Sequence, residues 1–314
     1  MTTLPGQALC LSAVLMRPKI FLVALLAGLL GCSHLASAAK PISFWVLESE
    51  QAKVYLLGSI HVMRPDMYPL PAPVESAFVE SDLTVFEVDM RDSKGIAADR
   101  LMQERGFFAG HETIYTQLSE GTLSLLQDYL QANNIDIGQF ERVRPWMLSV
   151  NIGLIELRKL GFDSARGIDL YYQQKARRDG KPVLALETFE EQIELLSGDS
   201  PRVQEIGLKL ALQYRDEAPE FIDLLINAWA TGDAEAMYEA SASDYERHPE
   251  LAAQFERLLD KRNEKMAVQI GRYLAETDKT YFVVIGALHM GGHKGLLKLL
   301  GEKYDIRQIV YSPE

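Results

Sequence analysis

The chain reads as an α/β fold, a three-layer α/β/α core with a central, mainly parallel sheet and large helical insertions. Three observations predict it. Short apolar runs stand near both ends and at one central point, among them Val54-Tyr55-Leu56-Leu57 and Tyr281-Phe282-Val283-Val284-Ile285. Long stretches of helical spacing lie between them. Two of the runs end in one pattern, Gly58-Ser59-Ile60-His61 and Gly286-Ala287-Leu288-His289. Each reads as a buried strand that ends in a glycine turn and presents a histidine, and strand C-terminal ends are where α/β folds build their sites.

The elements follow in order. Residues 43–47 and 54–57 are short strands, joined as a hairpin over 48–53. Pro71 and Pro73 open a helix that runs to Val79, with proline in the first turn, where its missing N–H costs nothing. Residues 83–88 form a strand, favoured by Val85, Phe86 and Val88. From Gly95 to Asp179 the pattern is helical. Leu123, Leu126 and Leu130 recur at helix spacing. Pro145 starts a further helix with Met147, Leu148, Ile152 and Ile155 on its inner face, and Gly167-Ile168-Asp169 opens another. Residues 181–186 are a strand followed by Glu187. A second helical block covers 190–276, punctuated by Gly198, Pro219, Gly232 and Pro249. Strand 281–285, helix 294–300 and strand 305–310 close the chain. Strands 54–57, 83–88, 183–186 and 281–285 share one sheet, so their C-terminal ends carry His61, Glu87, Glu187 and His289.

Residues 1–39 read as a signal segment preceding a domain over 40–314. Arg17 and Lys19 precede an apolar stretch from Ile20 to Leu30, too short to span a bilayer. Leu29-Leu30-Gly31-Cys32 has the form of a bacterial lipobox with Cys32 lipidated, and Ala36-Ser37-Ala38 has the form of an ordinary cleavage site. The expectation is an exported, periplasmic protein, attached to a membrane through Cys32 if the lipobox is used.

Of the 32 Lys and Arg, two lie in those 39 residues and no acid does, so the remainder carries a net charge of −14. Such a chain repels nucleic acid, and no basic stripe offsets this. Beyond Cys32 there is no cysteine, which excludes a cysteine nucleophile and cysteine-ligated metal from the body. Any metal must be held by histidine and carboxylate. The serine-hydrolase elbow, the phosphate-binding P-loop, the helical zinc motif and the dinucleotide fingerprint are all missing.

His61 and His289, two of six histidines, are expected to face one crevice although they are 228 residues apart. A histidine after a glycine turn is a metal ligand or a base near neutral pH, or else a half-buried structural residue. Glu87 ends an apolar strand. It can complete a His/His/Glu site for a divalent ion, deprotonate a bound water, or simply form a strand-end ion pair. Glu187 sits similarly, but the following Thr188 and Glu190-Glu191 suggest a helix start, whose dipole alone would stabilise a carboxylate. His293 lies four residues after His289, a ligand spacing on a continuous helix, but Gly291-Gly292 interrupts it. The run Gly291 to Gly295 is an anion-docking turn or a plain tight turn. Arg262-Asn263, within a charge-rich helical stretch, reads first as a solvated face. His111 and His248 read as surface residues.

With these residues in view, the chain resembles the TraB/GumN family, relatives of the Tiki metalloproteases and more distantly of the erythromycin-esterase and ChaN-like proteins. The paired strand–glycine–histidine units carry the resemblance. Phe86-Glu87-Val88-Asp89, Arg144-Pro145-Trp146, Gly167-Ile168-Asp169, Leu186-Glu187-Thr188 with Gln192, Trp229 to Asp233, Arg262-Asn263 and Gly286 to Gly292 support it in order and spacing. It spans roughly residues 42 to 311. It implies a three-layer α/β core and a site of His61, Glu87 and His289, with Arg262 and Asn263 in support. It also implies metal-dependent peptide cleavage, so a divalent ion (Mn, Co or Zn) is expected between His61 and His289, with Glu87 as ligand or base. Arg262 would stabilise the oxyanion or hold a substrate carboxylate, with Glu187 and His293 as further supports. The leading expectation is a metal-dependent hydrolase acting on a peptide or small molecule with a peptide-like bond. A metal-independent, esterase-like hydrolase with a histidine base and a non-catalytic haem- or metal-binding lipoprotein are the rivals.

Overall fold

In the computed structural model, which describes residues 40–276 and 278–312, the apolar runs assemble into one six-stranded sheet. The signal segment, Cys32 and the Ala36-Ser37-Ala38 site lie outside the described residues. The strands are β1 (Lys40–Glu48), β2 (Lys53–Ser59), β3 (Leu83–Phe86), β4 (Val183–Ala185), β5 (Thr280–Gly286) and β6 (Ile306–Tyr311), in the spatial order β4-β3-β5-β2-β1-β6. The predicted hairpin of β1 and β2 is antiparallel, and β6 adds antiparallel to β1. The pairs β2–β5, β5–β3 and β3–β4 are parallel. The sheet is therefore mixed, and the half that carries the site is wholly parallel.

Alternation along β5 shows why these strands are apolar throughout. Tyr281, Val283 and Ile285 pack with Leu56 and Val85 against Met266, Ile270 and Leu274 of helix Lys261–Glu276 and Leu296 and Leu300 of helix Leu296–Gly301. Phe282 and Val284 face the other way, with Phe44, Leu57 and Phe86, onto Val74 and Phe78 of helix Ala72–Glu80 and Ile168 and Tyr172 of helix Ile168–Arg178. A strand covered on both faces has no polar side to show. Helices on both faces of the sheet make the three layers that the sequence predicts.

A separate cluster of Ile114, Leu126, Leu130, Leu148, Ile152, Leu208 and Leu212 holds the helical insertion together. The punctuated helical block over 190–276 consists of helices Phe189–Ser197, Pro201–Gln213, Ala218–Thr231, Ala234–Arg247 and Lys261–Glu276, with shorter helical turns between the last two. Gly198 caps the first, and Gly232, at φ 66°, ends the third in the left-handed conformation that glycine tolerates. Residues Glu256–Asp260 form a π-helical turn directly before helix Lys261–Glu276, and such turns recur beside functional sites. Among the described residues no helix is long and apolar enough to cross a membrane.

Strand order decides where the site lies. β5, the last of the parallel strands in sequence, inserts between β2 and β3. Its register sets Gly286 opposite Ser59 and Val284 opposite Phe86. The residues just beyond these ends, His61, Glu87 and His289, are thereby brought to one edge of the sheet.

Candidate active site

The strand ends converge around Gly286. A Cβ placed there would have Glu87 Oε1 at 3.1 Å, His289 Cδ2 at 3.5 Å and His61 Nε2 at 3.7 Å, so three side chains reach within 4 Å of a single point. Any larger residue would displace them, which is the steric reason for glycine at this turn. Gly286 N–H also donates to Glu87 Oε1 at 2.6 Å and fixes that carboxylate at the floor.

Arg262 organises the floor. Its Nε and Nη2 donate to the two oxygens of Glu187, each at 2.8 Å, and Nη2 also donates to Glu87 Oε2. Nη1 donates to Leu258 O at 3.0 Å and faces His289 Nε2 at 3.1 Å. A guanidinium has five N–H donors, and all five are engaged. The three side chains are nearly buried, with 12% of Arg262, 9% of Glu87 and 8% of Glu187 exposed. Gln192 Nε2 spans both carboxylates, at 3.3 Å and 3.4 Å. Arg262 stays charged well beyond the usual range: burial opposes the charge, and Glu187 and Glu87 outweigh it.

His289 is held from both sides. Its Nδ1 lies 2.5 Å from Asn263 Oδ1 and its Nε2 faces Arg262. An amide oxygen only accepts and a guanidinium only donates, so the ring is the neutral Nδ1–H tautomer. Burial lowers its pKa to about 4, with the attraction of Glu87 opposed by Arg262. For Glu87 burial favours the neutral acid, but the charges of His289, Arg262 and His61 outweigh it and hold the pKa at about 2. Because His289 is neutral above about pH 4, Arg262 is the chief cation that keeps Glu87 ionised at neutral pH.

His61 is differently placed. The loop after β2 docks on the helix opened by Gly167: Ile168 N–H donates to Ile60 O at 3.0 Å, and a Cβ at Gly167 would come 2.5 Å from His61 O. This approach sets Asp169 Oδ2 3.1 Å from His61 Nδ1 and leaves Nε2 directed at the Gly286 floor. Burial around the ring works against its charge, and the Asp169 hydrogen bond and charge outweigh it, raising the pKa to about 9. The side chain is 64% exposed, so solvent screens part of this pairing.

Asp169 has a partner, His61, that the motifs alone did not assign. An acid in the first turn of a helix reads as a complement to the dipole. Only the docking of the preceding loop turns Asp169 into a histidine partner. Ser59 is 4% exposed, and its buried Oγ has no hydrogen-bond partner among the described residues. His293 goes elsewhere: its side chain is 69% exposed, 3.9 Å from Asp260 and 3.5 Å from the Tyr238 hydroxyl. The Gly291-Gly292 turn takes it off the face of His289.

The donor set was expected to hold a divalent ion through His61, His289 and Glu87. A ligand must offer a free lone pair. His61 Nε2 and the second lone pair of Glu87 Oε1 are open, whereas His289 Nε2 accepts from Arg262. Among the described residues no group of three or more His, Cys, Asp or Glu is arranged to hold an ion. In this arrangement the residues do not fit a three-ligand site, because the guanidinium occupies the face of His289 that an ion would need.

A profile of the TraB/PrgY/gumN family matches residues 43–308. The chain belongs to this family. It is 25% identical over 249 residues to YbaP of Escherichia coli (strain K12), itself uncharacterized, a match that covers 78% of this chain and 87% of that protein. It is 25% identical over 312 residues to Metalloprotease TIKI1 of Homo sapiens, covering 83% of this chain and 61% of that protein. Against TIKI1 of Danio rerio the identity is 24% over 308 residues, with 83% and 62% covered. The chain thus spans less than two thirds of these metalloproteases. No solved structure matches. The distant likeness to TIKI proteins supports a relationship to hydrolases.

Proposed function

We propose that this protein is a hydrolase of peptide-like bonds in which His61, oriented by Asp169, is the general base. One observation carries the reading. His61 Nδ1 is held by a carboxylate, while Nε2 points at the spot that Glu87 Oε1 also reaches. A base held by an orienting acid beside a reacting position is the arrangement that activates a nucleophile.

In this reading a water sits between His61 Nε2 and Glu87 Oε1. Neutral His61 takes its proton as the water oxygen attacks the carbonyl carbon. The imidazolium, stabilised by Asp169, then returns that proton to the leaving nitrogen as the C–N bond breaks. Glu87 accepts a hydrogen bond from the water and aims it. Arg262, with every donor engaged, keeps Glu87 ionised and Glu187 and His289 in place. The base must be neutral, so activity rises with pH through the His61 pKa of about 9. The protein acts after export, on a peptide or small molecule and not on nucleic acid, and is anchored through a lipidated Cys32.

A metal-dependent form of the same hydrolysis is the second reading. The names of the TIKI relatives favour it, and so does the backing of His61 by a carboxylate, which metal-ligating histidines commonly have. It requires His289 Nε2 to part from Arg262. The test is cleavage of a peptide pool, read by mass spectrometry, for wild type, His61→Ala, Glu87→Gln and His289→Ala, before and after chelation and with Mn, Co or Zn restored. Activity that survives chelation and falls by roughly 10²–10⁴-fold in His61→Ala supports the first reading. Activity abolished by chelation and restored by one ion supports the second. Folded variants that all keep full activity would show that these residues are structural.

A further inference from the structure

Two cavities of 520 Å³ each meet at the site. Ser59, His61, Glu87, Leu258 and Arg262 line both, so the reacting groups form the waist of one two-lobed cleft. The lobes differ in chemistry. The first runs along helix Ala218–Thr231 and the π-helical turn, and its wall is mainly Phe221, Ile222, Leu225, Ile226 and Phe255, with Ser241 and Tyr245 as its polar residues beyond the waist. The second presents Asp169, Gln173 and Gln192 beside Val150, Leu195 and Leu196. Among the described residues the buried Ser59 Oγ at the waist and Asp169 Oδ1 beside the second lobe have no hydrogen-bond partner.

We propose that the cleft takes an extended peptide across the waist, with a bulky apolar side chain, such as that of phenylalanine or leucine, seated in the first lobe. The inference rests on the hydrolase reading for what happens at the waist, but not for what binds. A peptide fits both demands at once. Its amide groups can pair with the polar side chains that line the second lobe, and one apolar side chain fills a first lobe lined mainly by apolar residues. The chain continues into the mixed second lobe, so the scissile bond lies within the peptide and not at a free end. A lobe of this volume lies within the range of small-ligand pockets, which are mostly apolar with a few polar groups that fix orientation.

The test separates binding from cleavage. Binding is read by displacement of N-phenylnaphthylamine by capped pentapeptides, Ala-Ala-X-Ala-Ala, with X as Phe, Leu, Ala or Ser. Wild type should bind the Phe and Leu peptides at least about tenfold more tightly than the Ala and Ser peptides. Ile226→Trp, which fills the lobe from its half-buried wall, should remove that preference without a fall in Tm. Ile222→Ser, which makes the wall polar, is the second variant should the first fail to fold. An equal response to all four peptides, or a preference unchanged in the folded variant, overturns the proposal. So does tighter binding of N-octanoyl-glycinamide than of any of the peptides, because the lobe would then be an acyl-chain site. Cleavage of the same peptides is followed by mass spectrometry. Preferential binding without cleavage defeats the hydrolase reading alone, and cleavage without preference for X defeats this inference alone.

Discussion

Replacing Arg262 by methionine keeps most of its apolar stem and removes the cation between two buried carboxylates. Glu87 and Glu187 are then left facing each other with 9% and 8% of their side chains exposed. Removing one partner of a buried ion pair costs about 3–5 kcal/mol. The Glu87 carboxyl, whose shift Arg262 shares with two histidines, gives an upper bound on the part that acts through it. Its pKa falls from 4.5 to about 2 on folding, as burial is outweighed by His289, Arg262 and His61. That shift corresponds to roughly 3 kcal/mol at neutral pH. The expected loss in Arg262→Met is therefore about 3–5 kcal/mol, a fall in Tm on the order of 10 °C. The pH dependence carries a sign. In the wild type the folded pKa of Glu87 is depressed, so its contribution is complete above 4.5 and is lost as pH falls toward 2. In the variant, burial and mutual repulsion raise the folded pKa of the two acids, so the folded state is favoured by protonation and weakened as pH rises. The gap between the proteins should thus widen from about pH 5 to about pH 7.5. Urea unfolding followed by circular dichroism measures it. Adding Glu187→Gln should recover part of the loss, since one of the two stranded charges disappears. A gap below about 1 kcal/mol, or one that does not change with pH, would refute the pairing on which the description of the site depends.

Asp169→Asn keeps the shape of the His61 partner and removes its charge. The His61 titration, read from its ring protons by NMR, should move from about 9 toward the ordinary 6.5. The rising limb of the pH–activity profile should move down with it, while the plateau falls by roughly 10²–10⁴-fold; an unmoved titration rules Asp169 out as the orienting acid. Mass spectrometry of the mature N-terminus should find a lipidated Cys32, and an unmodified chain beginning at Ala39 would show that the Ala36-Ser37-Ala38 site is used instead.

Much of the fold is legible in the sequence because burial leaves a local trace. Strands covered on both faces are apolar without alternation, and glycine followed by histidine at their ends marks two turns of the same kind. Gly198 and Gly232 mark helix ends, the second through a left-handed φ that glycine tolerates. The acid at the end of β3 also stands out, as a lone charge closing an apolar run. What the sequence does not contain is which strands are neighbours. Insertion of β5 between β2 and β3 is a tertiary choice, and it alone brings His61, Glu87 and His289 to one point. The charge-rich stretch around Arg262 is the clearest case of the limit. Its charge content is that of a solvated face, yet Arg262 is almost buried and Asn263 is 2% exposed. A guanidinium leaves water only where carboxylates replace the lost hydration, and those acids lie 75 and 175 residues away. No local window holds that information. The same holds for Asp169, whose partner is 108 residues distant and reaches it only because a glycine lets one loop close on another helix. The sequence by itself determined the layers, the strand ends and the side chains that stand there. The tertiary structure decided their neighbours, and with them their charges, because a pKa is set by partners and burial and not by position in the chain.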